Sequence, residues 1–340
     1  MTAEVDEFEF FLEKEWSDGL PVVTPTEERV RRMLKGTRRD ADEVIGRIPP
    51  AMETATVRTV AIHALMAGCK PEYLPVVLGG ITLMLREELN LNGVQGTMGS
   101  AAPLMVVNGP YARKIGVHGG RGCFGPGFRA NASIGRAIRL MLLNLGGGIT
   151  GLGSSTVFSS PLRYTACLTE NLEQSPWESL AVSRGCSPDD NAITCAMVDP
   201  PKFCFDDASR EPERLLTGIA DSMTSMGSLN VHVPRCAVVV VMGPLHATIC
   251  SKAGMSRADV HRRLCEMAGR KVCDLKSGGA WRLERAMKIN VNPDDDDRFV
   301  PAIKDPRDLQ LVVAGGLGPI TAVCHGWGGG SLAVHGTYEV

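Results

Sequence analysis

The sequence predicts an α/β protein of two related lobes, each a mixed sheet covered by helices, built from an internal duplication. Three observations carry this expectation. Short apolar runs that read as buried strands, Leu104 to Val107 and Leu309 to Gly315, are interspersed with segments of helical periodicity. The strand-like stretch Ala102 to Pro110 (APLMVVNGP) aligns without gaps with Cys236 to Pro244 (CAVVVVMGP), and its flanks match too. Upstream, Pro71-Glu72-Tyr73-Leu74 faces Pro212-Glu213-Arg214-Leu215; downstream, Arg129-Ala130-Asn131 faces Arg257-Ala258-Asp259. The chain has 340 residues, enough for two lobes with sizeable cores or one large domain. The expected division is 1–44 as an N-terminal helical arm, 45–160 as the first α/β lobe and 161–340 as the second, compatible with one compact domain overall.

Composition narrows the function classes. Hydrophobic residues make up 44%, charged residues 22% and aromatics 5%, with a formal net charge of −2. That balance gives no global attraction for nucleic acid or an anionic membrane, and too few aromatics for a base-stacking platform. The longest apolar run, around Tyr73 to Leu85, is too short to span a bilayer. The acidic start MTAEVDEFEFF lacks the form of a signal peptide, so the expected location is the cytoplasm. Eleven cysteines, an odd number without any C-x-x-C, read there as free thiols, most of them small core residues.

Taken in order, residues 4–16 predict an amphipathic helix with Phe8, Phe11 and Leu12 on one side, ended by the turn at Asp18-Gly19. Thr24-Pro25-Thr26-Glu27 predicts a helix start with Thr24 as N-cap, and Val30, Met33 and Leu34 as its buried side. The arginines at 29, 31, 32, 38 and 39 read as a solvated face. A helix is expected from Thr54 to Ala67, in which His63 is a satisfied structural histidine, and another from Pro71 to Leu89. Cys69 lies between them, before a helix N-terminus and beside Lys70, a setting that lowers a thiol pKa and makes it a nucleophile candidate.

The organising stretch is Val117 to Leu145, entered from the strand at Leu104 through a short helix after Pro110. Gly119, Gly120, Gly122, Gly125 and Gly127 fall within nine residues, and a helix follows from Arg129 with Ala130, Ile134, Ala137, Ile138 and Met141 on its core face. Arg129, Ser133 and Arg136 take the other side. A flexible loop feeding a helix N-terminus suits an anion, so Gly120, Arg121, Gly122, Gly125, Gly127, Arg129 and Asn131 are expected to bind an anionic substrate. The loop is neither a Walker A sequence nor a proper dinucleotide fingerprint, and no cofactor is indicated. Cys123, near Arg121 and before the helix, is the second nucleophile candidate; His118 is the expected acid or base.

Further on, Gly146 to Ser155 is a second flexible region. Ser175 and Glu178 form an expected capping box, as do Ser256 and Asp259. In the second copy the link Ser251 to Ser256 is half as long as Val117 to Phe128, which singles out the first copy's loop as the specialised part. In the tail, Cys324 and His325 point to opposite strand faces, and His325 and Trp327 are candidate pocket residues. Asp294 to Asp297 reads as a solvated loop.

Several of these segments resemble a bacterial family of unassigned activity: Trp16-x-Asp18-Gly19-Leu20-Pro21-Val22-Val23 with Pro25-Thr26-Glu27, Gly68-Cys69-Lys70-Pro71-Glu72-Tyr73, and Phe124-Gly125-Pro126-Gly127 to Ala137. Thr169-Glu170-Asn171 and Ser175-Pro176-Trp177-Glu178 extend the resemblance over roughly residues 16–200. Members of that family are associated with UGSC-motif (seleno)cysteine proteins, themselves similar to glycine-reductase selenoprotein subunits. The resemblance implies thiol or reductive chemistry on a C–N or C–S bond, and a UGSC-motif protein as partner. This chain has no Gly-Ser-Cys; its nearest match, Arg184-Gly185-Cys186-Ser187, has another order.

The expectation is therefore a cysteine-dependent hydrolase or lyase acting on a small anionic metabolite and forming homo-oligomers. Cys69, Cys123, His118 and Glu170 are its catalytic candidates, and Asn171, His325 and Trp327 join the loop residues in binding substrate. Two alternatives stand beside it: a metal-dependent enzyme using His118, Glu170 and His325, and a non-catalytic subunit of a thiol or selenol reductase system.

Overall fold

The computed structural model describes residues 6–340. Its strands in chain order are β1 (Val44–Ile48), β2 (Glu53–Thr56), β3 (Ala102–Asn108), β4 (Cys167–Leu168), β5 (Ala192–Val198), β6 (Lys202–Phe205), β7 (Val238–Met242), β8 (Gly269–Lys271), β9 (Phe299–Pro301), β10 (Leu309–Val313), β11 (Ile320–His325) and β12 (Val334–Thr337). The helices that cover them are α1 (Glu7–Glu13), α2 (Glu27–Leu34), α3 (Val57–Met66), α4 (Leu74–Met84), α5 (Leu91–Gly96), α6 (Pro110–Lys114), α7 (Arg129–Asn144), α8 (Leu180–Ser183), α9 (Pro212–Met223), α10 (Pro244–Lys252), α11 (Arg257–Met267), α12 (Val272–Ser277) and α13 (Leu283–Lys288). The mixture of helices with mixed sheets is the α/β class expected. No helix among the described residues is long and apolar enough to cross a membrane.

Two four-stranded sheets lie at the centre, ordered β4-β3-β5-β12 and β10-β7-β11-β6. Both carry the same plan. A central strand pairs in parallel with one neighbour (β3 with β4, β7 with β10) and antiparallel with the other (β3 with β5, β7 with β11). An antiparallel edge strand then completes each sheet, but each half of the chain lends its edge strand to the other sheet: β6 follows β5 and pairs with β11, whereas β12 follows β11 and pairs with β5. At the crossing point Asp199 N–H donates to the His325 carbonyl (2.8 Å) and Trp327 N–H to the Met197 carbonyl (3.1 Å). The halves thus repeat in topology; common ancestry remains the expectation stated above. The expected boundary at 160/161 does not divide the fold, because β3 pairs with β4 and β5 from beyond it.

Side-chain alternation along each strand assigns the layers. Leu104, Val106, Ala196 and Val198 face inward against Val239, Val241, Ala322 and Cys324, so the two sheets share an interior of small residues. Their neighbours Met105, Val107, Ile193, Cys195 and Met197 face outward onto α3, α4 and α7. On the opposite side Val238, Val240, Met242, Leu309 and Leu311 face α9 to α12. Four layers result: helices, sheet, sheet, helices.

Four helix starts differ from the expectation. The α2 N-cap is Thr26, not Thr24, whose carbonyl instead accepts from Arg29 Nη1 (3.0 Å) and whose hydroxyl donates to Glu7. The predicted start at Thr54 falls in β2; Thr56 caps α3 in a box with Thr59. Pro71 opens a single 3₁₀ turn before α4, which ends at Met84 rather than Leu89. Ser175 and Glu178 do not form a capping box: the Ser175 hydroxyl closes on Trp177, and α8 is capped by Ser179. The box at Ser256 and Asp259 is present as expected. The expected first helix begins outside the described residues, and its seen part ends at Glu13.

Candidate functional site

Two glycine-rich loops, one from each half, meet at the mouth of the sheets. The first runs from His118 to Gly127; the second is Gly315-Gly316-Leu317-Gly318, after β10. Gly315 N–H donates to the Gly119 carbonyl (2.8 Å), and Asn171, after β4, holds the second loop through Nδ2 to the Gly315 carbonyl (2.9 Å). A cleft of about 480 Å³ opens beside them, lined by Arg113, His118, Gly120, Arg121, Asn171 and Glu173. A second cavity of about 340 Å³ adjoins it, sharing Arg121, Gly316 and Leu317 and adding Gly122, Cys123 and Gly125.

Glycine is required here for two reasons. At Gly119 a Cβ would lie 2.3 Å from the Thr169 carbonyl oxygen. At Gly122 φ is +77°, a conformation that L side chains rarely adopt.

His118 is held rigidly. Its ring stacks on Phe128 with centroids 3.6 Å apart and planes 11° apart, and Nε2 lies 3.0 Å from the Arg121 carbonyl. A carbonyl only accepts, so Nε2 carries the proton and Nδ1 of the neutral ring keeps its lone pair. Cys123 sits in the loop wall, where the nearby backbone N–H groups of Cys123, Phe124 and Gly315 favour its thiolate, although those of Cys123 and Gly315 already donate to the Gly120 and Gly119 carbonyls (3.1 and 2.8 Å). Burial outweighs these donors and pushes the thiol up to about 11. The expected low-pKa thiolate is therefore absent in the resting protein.

Other candidates have structural employment. Cys69 is 5% exposed and lines neither of these cavities; burial pushes its thiol up to about 12 despite the Ser133 hydroxyl and the Arg129 charge. Asn131 lies beneath the loop, accepting from His118 N–H (2.7 Å) and donating to the His118 and Cys123 carbonyls (2.9 and 3.3 Å), so it shapes the loop from below. Arg129 reaches back to the Gly68 carbonyl (3.1 Å), away from the cleft. Arg136 is not part of an anion face: it grips Asp18 in two bonds of 2.6 and 2.9 Å and fastens the N-terminal arm to α7. Gly127 turns the chain into α7 and does not line the cavities.

Glu170 lies in the wall of the cleft, and its carboxylate is a junction of buried hydrogen bonds. It accepts from Asn108 Nδ2 (2.9 Å), Leu180 N–H (2.5 Å), Val313 N–H (3.2 Å) and both terminal nitrogens of Arg257 (3.2 Å each). Arg257 also donates to the Glu178 and Leu311 carbonyls. His325 donates from Nε2 to the Ser222 carbonyl (2.9 Å), and Trp327 donates to Thr97 Oγ1 (2.8 Å). These two stand outside the cleft. His118, Glu170 and His325 are not brought together, and no group of three or more His, Cys, Asp or Glu suited to a metal ion occurs among the described residues.

One constellation has no counterpart in the sequence reading. Cys186 Sγ lies 3.2 Å from His335 Nε2, and His335 Nδ1 lies 3.0 Å from Thr194 Oγ1. The cross-strand pairing of His335 with Thr194 in β12 and β5 creates it, across 149 positions between the thiol and the imidazole. In the sequence only Cys186 stands out, within Arg184-Gly185-Cys186-Ser187.

Burial also gives a pH prediction. His63, His246, His261, His325, His335 and His232 are all held below the ordinary imidazole value, chiefly by desolvation. The unfolded chain then binds more protons than the folded one once pH falls towards the unfolded value near 6.5. Their contribution to stability is complete above that value and is lost as pH falls through it towards the folded values. The urea midpoint should therefore fall from pH 7.5 to 5.5; a flat profile would contradict it.

Comparison with protein-family models, with curated proteins and with solved structures found no match.

Proposed function

We propose that the protein is a cytoplasmic enzyme that cleaves a C–N or C–S bond of a small anionic metabolite, with Cys123 as nucleophile at the meeting of the two glycine loops. One observation carries this reading: the Cys123 thiol lines the cavity where the glycine loops of the two halves are joined, Gly315 N–H donating to the Gly119 carbonyl. Arg113 and Arg121 supply positive charge for the substrate's anionic group. With the thiol near 11, its proton leaves as the sulfur attacks, and His118 Nδ1 is the acceptor assigned to it. The sulfur–carbon bond forms, the carbon–heteroatom bond breaks, and the amine or thiol departs with the proton returned by His118. Water then releases the product and restores the thiol. All described cysteines are free, as a reducing compartment allows.

The test is ammonia, thiol or sulfide release from a panel of amino-acid and thioether carboxylates, with intact-mass detection of adducts. Cys123→Ser should abolish release and His118→Gln should lower it by about 10²–10⁴-fold. Full activity of Cys123→Ser would end this reading. The Cys186–His335–Thr194 set favours a second one, in which the same thiol chemistry resides at Cys186. An adduct on Cys186 that His335→Gln removes would establish it.

A further inference from the structure

A cavity of about 480 Å³ lies behind α7, lined by Ser17, Asp18, Arg139, Thr150, Phe158, Ser159, Ser160, Arg163 and Tyr164, none of which line the glycine-loop cavities. Its charges do not balance locally. Arg139 has a single hydrogen bond, from Nη2 to the Gly148 carbonyl (3.3 Å), and no carboxylate partner among the described residues. The nearest acid in the cavity wall, Asp18, is already taken by both arms of Arg136. Arg163 is held by the Ala101 and Gly99 carbonyls and the Ser154 hydroxyl, which fix its plane without neutralising it. Beside them the buried Ser160 hydroxyl has no partner among the described residues, and Ser159 is turned to a φ of +57°.

A desolvated guanidinium without a counter-charge costs stability unless something supplies one. Arg139 accordingly lies below its ordinary value, burial outweighing the charge of Asp18, and Arg163 is lowered by burial and by Arg139, which together outweigh the charge of Asp199. Guanidinium groups with nearby hydroxyls match the oxygens of a phosphate, which accept several charge-assisted hydrogen bonds. Phe158, 91% exposed on the same wall, leaves an apolar surface beside the charged floor.

We propose that this cavity is a second ligand site, binding a phosphate group, free or carried by a small metabolite, between Arg139, Arg163 and the Ser160 hydroxyl. The inference does not depend on the reading of the glycine-loop cleft. The ligand replaces the missing counter-charge and satisfies the orphaned hydroxyl in one step.

The probe is inorganic phosphate, titrated against the full chain at constant ionic strength with chloride as balance, and read as the thermal midpoint. The midpoint should rise with the logarithm of phosphate concentration. Arg139→Met should start from a higher midpoint than the wild type in phosphate-free buffer, because it removes an unpaired buried charge, and should not respond to phosphate. Ser160→Ala should keep the fold and weaken the response several-fold. Arg121→Met, in the glycine-loop cleft, should respond like the wild type. No wild-type rise beyond the chloride control would overturn the proposal. So would a full response in Arg139→Met, or a response lost only in Arg121→Met. If Arg139→Met does not fold, an undiminished response in Ser160→Ala overturns it and a weakened one supports it.

Discussion

Glu170→Ala is expected to lower the stability of the folded chain by about 3–5 kcal/mol, the usual consequence of stripping one partner from a buried ion pair. The carboxylate is one point where both halves are joined. It accepts from Asn108 on the first sheet, from the backbone at Leu180, and from Val313 and Arg257 in the second half. Its side chain is fully covered, and that of Arg257 is 3% exposed. Glu170→Gln is not a mild change here. Every group around the carboxylate donates, so the new amide nitrogen would face donors and Arg257 would lose its counter-charge. Replacing both members, Glu170→Leu with Arg257→Leu, should recover part of the loss. Urea unfolding monitored by circular dichroism measures all three. A Glu170→Gln protein as stable as the wild type but inactive would reverse the assignment and return Glu170 to catalysis.

Gly119→Ala should destabilise by about 1–3 kcal/mol and pull the first glycine loop off its seat. The added methyl would meet the Thr169 carbonyl oxygen at 2.3 Å and the Glu170 carbonyl carbon at 2.7 Å. Neither can retreat easily, since the Glu170 side chain is tied to both halves and Gly119 accepts from Gly315 at 2.8 Å. Hydrogen exchange should quicken at Gly315, whose N–H loses that partner, and at the amides of residues 118–127. Gly96→Ala is the control: a Cβ there has nothing within 4 Å and needs no positive φ. Equal exchange in Gly119→Ala and wild type would show that the loop does not depend on this close approach.

Local patterns in the sequence determined the elements that depend on local physics. The period of α7 from Arg129, the apolar runs of β3 and β10, and the capping box at Ser256 and Asp259 follow from neighbours a few residues apart. The density of glycine between Gly119 and Gly127 located the loop that lines the cleft. The matching segments around Pro110 and Pro244 hold β3 and β7, each an inner strand of its sheet. Tertiary structure alone decided the roles. Cys69 has the helix-start and lysine setting of a reactive thiol, yet burial raises its pKa, and no local pattern reports that burial. Glu170 became a junction because Arg257 lies 87 positions away, and Arg136 became a clamp because Asp18 lies 118 away. The exchange of β6 and β12 between the sheets likewise brings His335 to Cys186 and Thr194. Desolvation and long-range pairing are properties of the packed chain, so they set charge, reactivity and position only once the four layers have closed.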